Sequence, residues 1–156
     1  RERPILFSGP MVKAILEGRK TMTRRVKKPR HKGDCPYGTP GDKFWVRESW
    51  AEFPSPGDII YKANYEKNLQ RKLYWRPSIH MPRWASRLTL EITNIQVERL
   101  QEITPLDAIK EGCNPATHSM PTMPTLWFKT LWQSIHGPDS WEANPFVWII
   151  EFKRMS

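Results

Sequence analysis

The chain has 156 residues, a net charge of +9 at pH 7 and eight tryptophans. We expect a single domain spanning residues 1–156, because this length suffices for one hydrophobic core. The positive charge favours nucleic acids or nucleotides as partners, although a solvated basic surface is the alternative explanation. A membrane is excluded as a partner, because the sequence contains neither a basic amphipathic helix nor an apolar run of about 20 residues.

Cysteine and histidine usage indicates a reducing compartment and no metal site. Cys35 and Cys113 are too few and too far apart for the disulfide framework of a secreted protein. The four histidines show no spacing typical of metal ligands: His31, His80, His118 and His136. We therefore expect a cytoplasmic protein that needs no cofactor.

The first part of the chain predicts a strand and a short helix, followed by a basic segment. Residues 4–7 form an apolar run typical of a buried strand, and residues 11–17 predict a helix with one apolar face. Gly18 is placed to end this helix in the left-handed conformation. Residues 19–32 then contain eight Lys/Arg and no acid, a composition typical of a solvated or disordered surface.

Two Pro-Gly-Asp turns introduce the next predicted strands. Residues 40–42 precede a strand at 44–51, and residues 56–58 precede one at 59–63. No periodicity is evident in residues 64–86, and we interpret residues 53–86 as a long insertion.

The second half of the chain predicts two further strands and two helices. Residues 87–100 alternate as a half-buried strand with an irregularity at Asn94. Thr104, Pro105 and Asp107 begin a helix over 105–111 that Gly112 ends. A loop at 117–124, an amphipathic helix at 125–136 and an apolar strand at 145–153 follow. Because strands and helices do not alternate regularly, we predict an α+β fold, a small mixed β-barrel with about three short peripheral helices.

Several segments together resemble the ASCH domain family, whose fold is a β-barrel related to the PUA domain. The matching segments, in order, are residues 15–25 (Ile-Leu-Glu-Gly-Arg-Lys-Thr-Met-Thr-Arg-Arg), Pro40-Gly41-Asp42 before an aromatic strand, residues 88–92, Asp107-Ala108-Ile109-Lys110-Glu111-Gly112, and residues 147–153. Residues 80–85 (His-Met-Pro-Arg-Trp-Ala) resemble the longer ASCH proteins of phages and prophages.

This resemblance implies an activity and a set of catalytic residues. Family members include small amidohydrolases that remove acyl groups from the exocyclic nitrogen of cytidine, notably N-acetylcytidine. Their catalytic lysine, threonine and glutamate fall on Lys20, Thr23 and Glu111. The chain departs from those compact enzymes by having Arg24 where an aliphatic residue is common, and by additions at 27–37 and 53–86.

These residue types fit amide hydrolysis, which needs an activated nucleophile, oxyanion stabilisation and a proton for the leaving nitrogen. Lys20 is suited to act as the base if neighbouring arginines and burial lower its pKa. Thr23 or a water activated by Glu111 would attack, and Glu111 would otherwise hold the lysine or bind the cytosine amino edge. The alternative is structural, with Lys20 a solvated charge and Thr23 an alternating strand residue.

Four residues are candidates for substrate binding. Arg24 and Arg25 would attract anionic groups, and Trp50 would stack on a base. Glu48 shares a strand face with Trp50 and would read a base edge, although a salt bridge is an equal alternative. Trp84 with neighbouring arginines suggests a lid or a strand-binding surface. A non-catalytic RNA-binding module and a ribonuclease are the alternative functions.

Overall fold

The computed structural model describes residues 1–65 and 73–155. The elements in chain order are β1 (Glu2–Leu6), α1 (Gly9–Leu16), β2 (Met22–Val26), β3 (Lys43–Arg47), β4 (Trp50–Glu52), β5 (Ile59–Tyr61), β6 (Thr89–Arg99), α2 (Pro105–Lys110), α3 (Met123–His136) and β7 (Phe146–Arg154). Short 3₁₀ turns lie at Lys62–Asn64, Ser78–His80, Arg83–Ala85 and Leu100–Glu102. The predicted α+β class is confirmed.

A five-stranded mixed sheet forms the centre of the molecule, and β4 and β5 form a separate two-stranded sheet. The strand order is β1-β3-β6-β7-β2, with β1 and β3 parallel and the other pairs antiparallel. The two end strands approach each other through Arg25 on β2, whose Nη2 donates a 2.9 Å hydrogen bond to the carbonyl oxygen of Leu6 on β1. The sheet therefore curls toward a barrel, with the ends of β1 and β2 facing each other.

Two apolar clusters stabilise the two faces of this sheet. On β7, Trp148, Ile150 and Phe152 join the cluster that includes Val12 and Ile15 of α1. The alternate residues Val147 and Ile149 join a second cluster with residues of α2 and α3. Burial on both faces explains why residues 147–150 are continuously apolar, as expected of an interior strand.

The predicted ends of the two short helices are confirmed. Gly18 has φ +79°, and its backbone N–H bonds the Ile15 carbonyl as α1 ends. At α2, the side chain of Thr104 accepts from the Asp107 N–H, and the Asp107 side chain accepts from the Thr104 N–H. This capping box fixes where α2 begins, and Gly112 with φ +124° follows the C-cap residue Glu111.

The bulge predicted near Asn94 is also confirmed, because the β6–β7 register shifts between Ile92 and Asn94. Helix α3 begins at Met123, two residues before its predicted start. Two apolar side chains of α3 are exposed, Leu126 at 60% and Ile135 at 64%.

Two interpretations of the first half were wrong. The basic segment is not a solvated surface throughout, because β2 lies within it and pairs along its length with β7. Residues 44–51 are not one strand: β3 ends at Arg47, and the chain then enters the second sheet at Trp50. Of the proposed insertion, residues 66–72 lie outside the described residues.

Within the described ranges, no helix is long and apolar enough to cross a bilayer.

Candidate functional site

A pocket of about 560 Å³ lies where β2, the end of β1, the end of α2 and one face of α3 meet. Its volume falls in the range of small-molecule sites, roughly 300–1,000 Å³. Lys20, Thr23 and Glu111 all line it, although Glu111 is distant from the other two in sequence. The residues assigned to catalysis by resemblance are thus neighbours in space.

The position of Lys20 follows from the ends of two helices. Just after α1 ends, the Lys20 backbone N–H bonds the Ala14 carbonyl, and the side chain reaches the C-terminus of α2. There Nζ donates to the carbonyl oxygens of Glu111 at 2.9 Å and Met22 at 2.8 Å. A cation at a helix C-terminus is favourable, because it satisfies carbonyls that have no partner within the helix.

Burial sets the charge state of Lys20. The side chain is 4% exposed, and desolvation lowers its pKa from 10.5 to about 8. The Glu111 carboxylate opposes this shift, while Arg25 and Arg24 contribute to it as like charges. A substantial fraction of Lys20 is therefore a neutral amine near physiological pH.

Glu111 supplies a buried carboxylate that can accept a further hydrogen bond. Its side chain is 3% exposed, and Oε2 lies 3.7 Å from Lys20 Nζ, close enough for attraction between charges but too far for a hydrogen bond. Oε2 has no hydrogen-bond partner. Because a buried acceptor without a partner is costly, this atom is suited to receive a hydrogen bond from a ligand.

Thr23, Arg24 and Arg25 follow one another on β2 and line the same pocket. The Thr23 hydroxyl receives a long hydrogen bond, 3.4 Å, from Arg25 Nε. Arg24 is almost fully buried and pairs with Asp107 at 3.3 Å, but its Nε has no partner. The pocket therefore combines two guanidinium groups with a hydroxyl, a lysine and a carboxylate.

The structure does not bring Glu48 and Trp50 to this pocket. Glu48 is 1% exposed and accepts two hydrogen bonds from Arg87, at 2.9 and 3.1 Å. This is the salt bridge that the sequence offered as the alternative. Trp50 is 2% exposed and packs in a small cluster with Met81 and Ala85. Its position follows from the break after β3, which carries it into the second sheet.

Sequence reasoning missed the aromatic wall of the pocket. Phe128, Trp132 and His136 on α3 line it together with Tyr37 and Phe7. The His136 ring lies 4.1 Å from the Trp132 ring, and burial lowers the pKa of His136. The spacing of four residues places these three α3 side chains on one face. The sequence contained this signal, but the amphipathic pattern of the helix was interpreted only as packing.

Across residues 1–65 and 73–155, no group of three or more His, Cys, Asp or Glu side chains is arranged to hold a metal ion.

The protein is similar to known proteins in structure, whereas the comparisons by sequence found no match. No protein-family model matches the chain, and no curated protein matches it in sequence. The fold is similar to the crystal structure of an ASCH domain from Lactobacillus crispatus, with a TM-score of 0.54, 11% identity, and coverage of 98% of this chain and 79% of that one. It is also similar to a protein from Enterococcus faecalis of the DUF984 family, with a TM-score of 0.52, 8% identity, and coverage of 99% and 79%.

The protein therefore has an ASCH-like fold, as the sequence resemblance predicted.

Proposed function

We propose that this protein is an amidohydrolase that removes an acyl group from the exocyclic nitrogen of cytidine or a related modified nucleoside, with N-acetylcytidine as the simplest substrate. The observation that carries the proposal is the buried Lys20–Glu111 pair, in which the lysine has a pKa of about 8 and the carboxylate oxygen nearest to it, Oε2, accepts no hydrogen bond. Buried groups with shifted pKa values in a pocket are typical of catalytic sites.

The contacts of Lys20 suit a general base. A neutral amine has two N–H donors and one lone pair, and the two carbonyls of Met22 and Glu111 accept both donors. The third direction is then occupied by the lone pair, which can take a proton from a nucleophile. A base with a pKa near the working pH is effective both in accepting this proton and in returning it.

Glu111 and the arginines complete the requirements of the reaction. Oε2 of Glu111, which accepts no hydrogen bond, can accept one from the N–H of the amide and so orient the acyl group. Arg24 and Arg25 can stabilise the negative charge that develops on the carbonyl oxygen as the carbonyl carbon becomes tetrahedral. When the carbon–nitrogen bond breaks, Lys20 returns its proton to the leaving nitrogen, so cytidine departs as a neutral amine.

The aromatic wall supports a nucleobase as the ligand. Phe128 and Trp132 contribute apolar aromatic rings to the pocket that β2 and Glu111 line with polar groups. A cytosine has an N–H at its exocyclic nitrogen and acceptors beside it, which complement the free acceptor of Glu111 and the donors of the arginines. A pocket that combines aromatic rings for stacking with polar groups for hydrogen bonding is suited to such a ring.

The nucleophile is either the Thr23 hydroxyl or a water held in the pocket, and the two routes differ in their intermediates. Attack by Thr23 transfers the acyl group to its oxygen before water releases it, whereas direct attack by water forms no acyl-enzyme. Thr23→Val stops the first route completely and leaves the second measurable. Thr23→Ser preserves a hydroxyl and is the matched control.

The test is hydrolysis of N-acetylcytidine by the purified protein, followed by the ultraviolet change as cytidine forms. We expect turnover by the wild type and a loss of about 10³-fold or more in Lys20→Met. Lys27→Met is the control, because Lys27 contacts Trp148 and His31 outside the pocket. Absence of turnover by the wild type, or equal turnover in Lys20→Met, would contradict the proposal.

A further inference from the structure

An exposed indole and an exposed guanidinium are both anchored on one buried aromatic ring. Trp84 is 65% exposed, and the side chain of Arg76 is 52% exposed. Both contact the buried ring of Trp50. Arg76 lies 4.7 Å above it, and the Trp84 ring meets it edge-on at 5.9 Å. We refer to Trp84 and Arg76 as the outer platform.

The outer platform is continuous with the wall of the pocket. Trp50 and Arg76 exchange two backbone hydrogen bonds, at 2.7 and 3.3 Å, so their two chain segments are fixed to each other. Their neighbours Ser49 and Ser78 both line the pocket. The segments that contribute Ser49 and Ser78 to the pocket therefore also carry Trp50 and Arg76, and Trp84 is held against the Trp50 ring.

The depth of the reacting groups constrains how a base within a strand would enter. Lys20 and Glu111 are 4% and 3% exposed, so a base that reaches them must leave the stack of its neighbours. The adjoining nucleotide then remains outside the pocket without a stacking partner. An exposed indole can replace that partner, and a nearby guanidinium can bind the phosphate.

We propose that the substrate is an acylated cytidine within single-stranded RNA, with the adjoining nucleotide bound on the outer platform. This inference rests on the proposed function and names the form in which the nucleoside is presented. The net charge of +9 favours an anionic strand. Arg76 can bind its phosphate, because the carboxylate of Glu52 is 3.9 Å away, too far for a hydrogen bond to the guanidinium. Arg83 is not included, because Glu2 already binds it at 2.5 Å.

The test compares free N-acetylcytidine with the same nucleoside in the middle of a single-stranded RNA of about eight nucleotides. We expect the RNA to be hydrolysed with the higher kcat/KM. Trp84→Ala should reduce kcat/KM about tenfold for the RNA, mainly through KM, and leave free nucleoside unchanged, because Trp84 does not line the pocket. Trp84→Phe should retain most of the activity on RNA.

Arg76→Gln has a closely matched control in Arg99→Gln. Arg99 is likewise exposed and lies 4.0 Å above an aromatic ring, that of Phe146. We expect only Arg76→Gln to weaken hydrolysis of the RNA and to reduce the dependence of its KM on salt. Equal effects of the two variants would overturn the assignment, because they would indicate a general effect of charge.

The outcomes separate this inference from the proposed function. If free nucleoside and RNA are hydrolysed equally and Trp84→Ala affects neither, the strand substrate is overturned and the amidohydrolase stands. If neither is hydrolysed, the proposed function fails. Fluorescence anisotropy with the same RNA still tests the outer platform, because Trp84→Ala should bind the RNA more weakly than the wild type. A wild-type dimer that Trp84→Ala converts to a monomer would identify the outer platform as a self-association surface and overturn the inference.

Discussion

Two buried carboxylates in this protein differ in how completely they are paired. Glu48 receives two hydrogen bonds from Arg87, which also lies 4.0 Å above the Tyr61 ring. Glu111 Oε2 lies 3.7 Å from Lys20 Nζ and accepts no hydrogen bond. Both were candidates for function from sequence. Burial alone therefore does not identify a functional carboxylate. Burial together with an acceptor oxygen that has no hydrogen bond, beside a pocket, favours a functional role.

The largest expected effect on stability is at the fully hydrogen-bonded Glu48–Arg87 pair. Glu48→Gln should lower the free energy of unfolding by about 3 kcal/mol, because it leaves the charge of Arg87 without its partner. Urea denaturation measures this loss, and kcat/KM of the folded protein should not change. The exposed Glu142→Gln is the control. A stable Glu48 variant with impaired catalysis would reverse the two roles.

Glu111→Gln should show the opposite behaviour. We expect kcat/KM for N-acetylcytidine to fall about 10²-fold or more, because the acceptor that orients the amide is lost. The free energy of unfolding should change by less than about 1 kcal/mol at pH 9, since Oε2 has no hydrogen bond to lose and Lys20 can become neutral. A stability loss as large as that of Glu48→Gln would contradict the comparison.

The Lys20–Glu111 pair should also give the activity a distinctive pH dependence. Because the proposed mechanism uses neutral Lys20 as the base, kcat/KM should fall about tenfold per pH unit below a pKa of about 8 and level off above it. The profile of wild-type hydrolysis between pH 6 and 10 measures this. A flat profile through pH 8 would exclude Lys20 as the titrating base.

The same shift makes a prediction about folding. The folded-state pKa of Lys20 lies below its unfolded value of 10.5, so burial of the charge destabilises the protein fully below pH 8. From pH 8 to 10.5 the unfolded chain binds this proton more tightly than the folded protein. Wild type should therefore gain stability relative to Lys20→Met as pH rises through this window. A constant difference in urea denaturation would be inconsistent with the lowered pKa.

The smallest expected effect is at the start of α2, which carries Glu111 at its other end. Thr104→Ala removes one half of the capping box and should cost about 1 kcal/mol in urea denaturation. Thr130→Ala is the control, because its hydroxyl only bonds the carbonyl of Leu126 within α3. Equal costs in the two variants would show that the capping box adds nothing specific.

Local signals explain what the sequence could predict. Gly18, the Thr104–Asp107 box and the irregularity at Asn94 depend on backbone conformation and near neighbours, and all three are where the sequence placed them. The strand β2 could not be recognised within the basic segment, because pairing with β7 and burial against α2 determine it. Glu48 and Trp50 were assigned to a ligand because residues 44–51 were interpreted as one strand.

The candidate site was predicted only through resemblance to a family. Nothing local indicates that Glu111 lies near Lys20, since their proximity depends on β2 reaching the end of α2. The aromatic residues of α3 were not recognised as part of the site for a different reason. Phe128 and Trp132 belong to the core and the pocket at once, so their helical spacing was fully explained by packing.

The most direct test of the Lys20–Glu111 pair is an NMR titration of the Lys20 side chain, assigned by comparison with Lys20→Met. The wild type should titrate near pH 8, and Glu111→Gln should titrate at a lower pH, because the carboxylate raises the pKa of its neighbour. Titration above pH 10 in both proteins would contradict the account, since Lys20 would then be a permanently charged structural lysine.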